Sequence, residues 1–272
     1  MSTDQRESGA RPLVGMHPAE QEQAPTLGDR VRGNRCRSGR RRLANGAPQV
    51  ERPRIKALVF DAYGTLFDVH SVAALGEGLF PGHGAELSGL WRTNQLQYTW
   101  LRSLMGRYED FRKVTEDALV FACVKLGLEL SGEKRGQLMN AYHTLDLFPE
   151  VKEALETLSG VPLAILSNGS PSMLQAVVKN SGLEGVLSKV ISVDEVKTYK
   201  PSPRVYQLAV DAFEVKDRTE IGFVSSNGWD LTGAAWFGLT TYWINRANAP
   251  IEELGIQPGK ILHTLSGLAD AI

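Results

Sequence analysis

The chain has 272 residues, of which 42% are hydrophobic and 22% charged, and its formal net charge is −1. That composition suits a globular protein of one large or two modest domains, and the charge gives no overall pull toward nucleic acid or a membrane surface. No apolar run approaches the roughly 20 residues that a bilayer span requires, so no membrane role is expected.

The first 54 residues stand apart. They hold 11 Arg and no Lys against 6 Asp and Glu, with few large apolar side chains and no periodicity. Such a stretch cannot bury enough surface to offset its ordering entropy, so it is read as a disordered basic extension that the rest does not need. Arg40-Arg41-Arg42 resembles the start of an export signal, but no apolar segment follows it. Cys36 and Cys123 fit neither a disulfide framework nor a zinc pattern, which points to a reducing, cytoplasmic setting.

Ordered structure is expected to begin with Ile55–Phe60, an apolar run that ends in Asp61 and turns at Gly64-Thr65. It reads as a buried strand of a parallel sheet. Residues 69–147 change character. Leu90, Trp91, Leu96, Trp100, Leu101 and Leu104 recur at helical spacing, as do Phe111, Val114, Ala118, Phe121 and Leu126. Gly127 suits a helix end and Ser131 a cap. This stretch is expected to be an all-helical insertion.

From residue 148 an alternating rhythm predicts a helix over 150–159, a strand over 162–166 and a helix that opens at Ser170-Pro171 and stops at Gly182. A strand over 189–193, a second cap-and-proline helix from Ser202-Pro203 to about Phe213 and a strand over 221–224 follow. Asp230 is expected to cap a helix ending at Gly238, then comes a strand over 240–244 and a last helix over 264–271. Strands alternating with helices imply a doubly wound parallel α/β sheet. The expected domains are an α/β core (55–68 and 148–272) and a helical cap (69–147).

Polar residues gather where such a sheet would bring them together. Asp61, Ser167-Asn168, Lys200 and the group Ser225, Asn227 and Asp230 each fall at or just past the end of a predicted strand. Open α/β sheets bind ligands in the crevice beyond those ends. An oriented carboxylate there can act as a covalent nucleophile.

Asp61 within Phe-Asp-Ala-Tyr-Gly-Thr-Leu, Ser167-Asn168-Gly169, Lys200-Pro201 and Ser225-Ser226-Asn227-Gly228-Trp229-Asp230 resemble the four motifs of the haloacid dehalogenase superfamily. The segments Leu90-Trp91-Arg92 and Tyr98 to Met105 resemble the cap of its type II (S)-2-haloacid dehalogenases. The resemblance covers about residues 55–270. It implies that Asp61 displaces halide from a short 2-haloalkanoate and that water then hydrolyses the aspartyl ester. It further implies that Arg92 and Asn168 receive the halide, while Ser167 and the backbone at Ala62 and Tyr63 hold the substrate carboxylate. Lys200 would hold Asp61 by charge, with Thr65 bonded to its carboxylate. Tyr206, Ser225, Asn227 and Asp230 would support Lys200 or place the hydrolytic water, in an order the sequence leaves open. Tyr63, Leu96, Phe111 and Trp229 match apolar pocket positions. Thr93 departs from the pattern, standing where a longer amide is expected, and raises a question of substrate size. The expected partners are a 2-haloacid and water, with no nucleic acid, no cofactor and no metal, and the likeness implies a homodimer.

A phosphatase on the same fold is the main rival. It would carry a second aspartate two positions after the nucleophile to protonate the leaving alkoxide, but that position is Tyr63. Halide leaves without a proton, so the substitution is tolerable for dehalogenation and damaging for phosphate transfer. A catalytically idle binding module is the other rival.

Overall fold

Six parallel strands form one sheet in the order β3-β2-β1-β4-β5-β6, and this order decides where the site lies. The computed structural model describes residues 54–272. The basic extension read from the sequence therefore lies outside the described residues, except for Arg54. The strands are β1 (Ala57–Phe60), β2 (Leu163–Ser167), β3 (Lys189–Ser192), β4 (Ile221–Ser225), β5 (Thr240–Ile244) and β6 (Lys260–Leu262). From β1 the chain passes outward through β2 to β3, then returns to place β4 on the other side of β1. The reversal opens a crevice beyond the carboxyl ends of β1 and β4, the ordinary ligand position in open α/β sheets.

Every residue of β1, β2 and β4 is buried, in keeping with their continuous apolar runs. In register, Phe60 pairs with Ile165 and with Val224, which brings the chain ends at Asp61, Ser167 and Ser225 to one edge. The helices between and after the strands are α5 (Val151–Thr157), α6 (Pro171–Ser181), α7 (Pro203–Phe213) and α8 (Gly228–Phe237). Pro171 and Pro203 open their helices as the sequence predicts. Ser170 and Ser202 occupy the cap positions, but neither side chain makes a capping bond.

Between β1 and β2 the chain forms α1 (Val72–Leu79), α2 (Gly84–Leu104), α3 (Phe111–Lys125) and α4 (Gly132–Ala141). Asp110 and Ser131 cap α3 and α4 by accepting from the backbone N–H of Lys113 and Lys134. The buried face of α2 differs from the expected apolar stripe. It carries Leu87, Ser88, Trp91, Asn94, Gln95 and Thr99, while Leu101 and Leu104 are exposed.

The last helix expected over 264–271 is absent. Strand β6 and a single 3-10 turn, Leu265–Gly267, take its place. Leu265 and Leu268 are both buried, and a 3-10 turn satisfies that three-residue spacing as well as an α-helix does.

Candidate active site

Asp61 follows β1 directly and is held in the sheet register by its backbone N–H, which donates to Val224 O at 2.9 Å. The residue is 6% exposed. Lys200 Nζ donates to Asp61 Oδ1 at 2.9 Å. Thr65 Oγ1 and Asn227 Nδ2 donate to Oδ2 at 3.0 and 2.8 Å. The turn after β1 makes this possible. Gly64 has a φ of 92°, in the left-handed region that glycine adopts without strain, and the turn brings Thr65 back under the carboxylate. Thr65 is in turn fixed by Ser226 N–H, which donates to its hydroxyl at 2.8 Å.

Lys200 is buried and shared. Nζ also donates to Asp230 Oδ2 at 2.8 Å and lies 4.9 Å from the centre of the Phe223 ring. Burial alone would lower the Lys200 pKa, but the facing carboxylates of Asp230 and Asp61 outweigh it, so the net shift is upward. Asp230 is pushed up to about 6, first by burial and then, against the opposing pull of Lys200, by the charge of Asp61. Two carboxylates share one buried ammonium, so their mutual repulsion makes a proton on Asp230 easier to hold than on an ordinary carboxylate. Tyr206 donates to Asp230 Oδ1 at 2.7 Å, and burial followed by the Asp230 charge raises its own pKa.

Asp230 does not cap α8 as the sequence suggested. Asn227 holds the cap position, with its side chain turned to Asp61, and Asp230 sits in the first helical turn facing Lys200. Ser225 does not reach Lys200 or Asp61. Its hydroxyl accepts from Asn227 N–H at 3.1 Å and so shapes the loop that carries Asn227.

At the end of β2, Ser167 Oγ accepts from Gly169 N–H at 3.1 Å. Asn168 Oδ1 accepts from the Lys200 backbone N–H at 3.1 Å, which leaves its amide nitrogen as the free donor. The backbone N–H groups of Ala62 and Tyr63 make no hydrogen bond among the described residues.

Arg92 reaches over from α2. Nη2 donates to Tyr63 O at 3.2 Å and Nη1 to Gln95 Oε1 at 2.7 Å. Burial lowers its pKa, against the opposing influence of Tyr142 and Asp61. Among the described residues no carboxylate forms an ion pair with it. A partly buried guanidinium without an anion is a ready anion site.

The apolar positions divide. The Tyr63 ring stacks on Phe111 at 5.5 Å and tilts against Tyr142 at 6.1 Å. Leu96 lines a cavity of about 470 Å³ together with Arg92, Gly64, Asn227 and Arg246. Trp229 lies in a different groove with Trp100, Tyr199 and Leu254, its ring edge-on to Trp100 at 5.3 Å. Thr93 is exposed and donates to Gly89 O on the outer side of α2, so it does not shape the Arg92 end of the site.

Sequence reasoning missed Gln95, Thr115 and Arg246, all three tied to the residues above. Gln95 and Thr115 are polar residues 0% exposed between two helices. The one signal that could have found Gln95 is its position three residues after Arg92, within reach on the same helix face. Among the described residues no cluster of three or more His, Cys, Asp or Glu could hold a metal ion. No helix among them is long and apolar enough to cross a membrane.

The model of the haloacid dehalogenase-like hydrolase family matches residues 55–238. The (S)-2-haloacid dehalogenase of Pseudomonas sp. (strain YL) is 53% identical over 206 residues, 75% of this chain and 88% of that protein. A crystal structure of an L-2-haloacid dehalogenase matches with a TM-score of 0.78 at 49% identity, covering 80% of this chain and 98% of that one. The L-2-haloacid dehalogenase of Xanthobacter autotrophicus, solved with chloropropionic acid covalently bound, matches with a TM-score of 0.75 at 39% identity, over 79% of this chain and 97% of its own. With a family model spanning most of the described residues and relatives of this similarity over most of their own length, the chain belongs to the haloacid dehalogenase-like hydrolases, and among them to the (S)-2-haloacid dehalogenases.

Proposed function

We propose that this chain hydrolyses short (S)-2-haloalkanoates to (R)-2-hydroxyalkanoates through an ester on Asp61. The observation that carries this reading is the Asp61 carboxylate, oriented by Lys200, Thr65 and Asn227, beside the Arg92 guanidinium, which among the described residues pairs with no carboxylate.

In the first stage an Asp61 oxygen attacks C2 opposite the carbon–halogen bond. A C–O bond forms, the C–X pair leaves with the halide, and C2 inverts. Arg92 and the Asn168 amide nitrogen receive the halide. Ser167 and the N–H groups of Ala62 and Tyr63 hold the substrate carboxylate, while the ring of Tyr63 with Phe111 and the side chain of Leu96 bound its apolar part. Trp229 supports the wall through Trp100. In the second stage water attacks Cγ of the Asp61 ester, and the bond from Cγ to the former Asp61 oxygen now carried on C2 breaks. The water oxygen stays on Asp61, one proton goes to the product hydroxyl and one to solvent, and C2 is untouched. Asn227 and Asp230 orient this step, Tyr206 and Ser225 hold them in place, and Lys200, bonded to both carboxylates, supports a metal-independent reading.

The test is chloride release from each enantiomer of 2-chloropropionate in EDTA, with Asp61→Asn as control. Release from the (S) form alone, abolished by the substitution, is expected. Magnesium-dependent phosphate release from a generic ester, with no halide release, would overturn the reading.

The helices of residues 69–147 are the cap of this reading and residues 55–68 with 148–272 its core. Tyr108 Oη donating to Asp194 at 2.9 Å and Tyr199 Oη donating to Glu109 O at 2.6 Å support the division by tying the two together at their rim. A homodimer is part of the proposal, supported by the exposed apolar side chains Leu104, Met105 and Val124 on the outer side of α2 and α3. Sedimentation of the purified chain tests it. Cytoplasmic placement is supported by the buried Cys123 thiol, which forms no disulfide among the described residues.

A further inference from the structure

We infer that Gln95 and Thr115 are positioning residues that hold the Arg92 guanidinium for the departing halide without cancelling its charge. This rests on the reading of Arg92 as the halide's partner.

The hydrogen bonds form a chain with one direction. Thr115 Oγ1 donates to Phe111 O at 2.6 Å, within α3. Its proton is thereby committed, and toward Gln95 the hydroxyl can only accept. Gln95 Nε2 donates to it at 2.7 Å. The amide is therefore turned so that Oε1 faces α2's own Arg92, which donates Nη1 to it at 2.7 Å. Thr115 is pinned from its other end as well, since Trp91 Nε1 donates to Thr115 O at 2.8 Å. The Trp91 ring packs on Tyr142 at 5.1 Å.

Packing does not require this arrangement. Gln95 and Thr115 are both 0% exposed, between α2 and α3 where leucine and valine would serve a helix pair at least as well. Replacing both partners of a buried hydrogen bond by apolar groups of similar shape is close to neutral for stability. What an apolar pair would lose is the grip on Arg92. A carboxylate at position 95 would grip harder, but it would form a buried ion pair and leave the guanidinium little net charge to offer. A neutral amide oxygen uses one N–H direction, Tyr63 O uses a second, and the remaining donors of the five stay available to an anion. That is the chemistry expected of a support for an anion-binding arginine.

The test compares wild type, Gln95→Glu, Gln95→Met, Thr115→Val, Thr115→Ser and Arg92→Ala in (S)-2-chloropropionate turnover and in product inhibition by added chloride. Thermal melts establish that each variant folds. Because halide contact strengthens in the transition state, loss of the support should lower kcat and kcat/KM together and leave KM nearly unchanged. Gln95→Glu is expected to raise the chloride inhibition constant and lower kcat by about tenfold or more. Gln95→Met and Thr115→Val should do so by several-fold, and Thr115→Ser should restore wild-type behaviour. Folded Gln95 and Thr115 variants with wild-type kcat and chloride inhibition would overturn the inference while Arg92→Ala still lowered kcat and weakened chloride inhibition. An Arg92→Ala enzyme with unchanged chloride inhibition would overturn the reading of Arg92 itself. Should Gln95→Glu fail to fold, the Gln95→Met and Thr115 variants decide the question alone.

Discussion

Asp230 Oδ2 and Lys200 Nζ lie 2.8 Å apart with the carboxylate 0% and the lysine 1% exposed, and the same ammonium serves Asp61. One buried cation thus organises two carboxylates. Removing one partner of such a cluster leaves uncompensated charge, which costs about 3–5 kcal/mol when the group is buried. Lys200→Met is therefore expected to lower the melting temperature sharply and reduce chloride release by at least about a thousandfold, the factor that corresponds to some 4 kcal/mol. Melting curves beside initial rates check this. A stable Lys200→Met enzyme with rates near wild type would show that Asp61 does not depend on the ammonium.

The same sharing sets a pH dependence. Asp230 sits at about 6, above the ordinary carboxylate value of roughly 4. Between those values the folded protein holds a proton that the unfolded chain releases. The Asp230 contribution to stability therefore increases as pH falls through that window and is a cost at neutral pH. Lys200 behaves in the opposite part of the scale. Its raised value means that its stabilisation is complete below roughly 10.4 and is lost only as pH rises through the higher folded value. Activity should follow the charge of Asp230. Once protonated, it releases Lys200 to pair with Asp61 alone and weakens the nucleophile. We expect kcat/KM to fall on the acid side with an apparent pKa near 6 and no alkaline limb from Lys200 below about pH 10. Tyr206 donates to the ionised form of Asp230, so Tyr206→Phe should move the acid limb upward. A limb that stays in place in Tyr206→Phe would assign it to another group.

Gly233 on α8 is the point of closest approach behind the cluster. A Cβ there would lie 2.5 Å from Pro201 Cβ and 2.6 Å from the Tyr206 hydroxyl. Gly233→Ala must push α8 away from Lys200-Pro201 or displace Tyr206 from Asp230. Overpacking of this kind costs about 1–3 kcal/mol. A lower melting temperature together with reduced kcat is expected, and wild-type values of both would show that the helix can shift freely.

The strand-end motifs were legible in the sequence because a parallel sheet leaves little choice. Buried strands write continuous apolar runs, and the polar residues after them must meet at one edge, as Asp61, Lys200, Asn227 and Asp230 do. The helical insertion was legible as helix, but its inner face was not. Leu101 and Leu104 continue an apolar rhythm yet are exposed, whereas Gln95, Thr99 and Thr115 are polar and fully buried. Periodicity assigns apolar residues to the core, so it misreads a face that binds an arginine through hydrogen bonds. Strand β6 has three residues, none of them buried, and writes no pattern at all.

Arg246 was illegible for a related reason, since it lies in the loop after β5 and far from the motifs in sequence. In space it braces the two turns that carry Thr65 and Ser226. Nη1 donates to Ser226 Oγ at 2.8 Å and Nη2 to Thr65 O at 3.1 Å, while the guanidinium pairs with Glu150 at 2.7 Å and lies 3.9 Å from the centre of the Phe148 ring. Thr65 and Ser226 are themselves bonded, and Thr65 carries Asp61. Burial would raise the Glu150 pKa, but its hydrogen bonds and the Arg246 charge prevail and hold it below the ordinary value. Arg246→Met should therefore do two separable things. It unpairs Glu150, lowering stability, and it loosens the turn under Asp61, lowering kcat by about tenfold, the effect of losing one positioning bond of roughly 1.4 kcal/mol. Adding Glu150→Gln removes the unpaired charge, so the double variant should regain much of the melting temperature but none of the rate. Arg246→Lys should recover little of either, because an ammonium cannot reach three acceptors and stack at once. Recovery of kcat in the double variant would mean that the brace acts through stability alone.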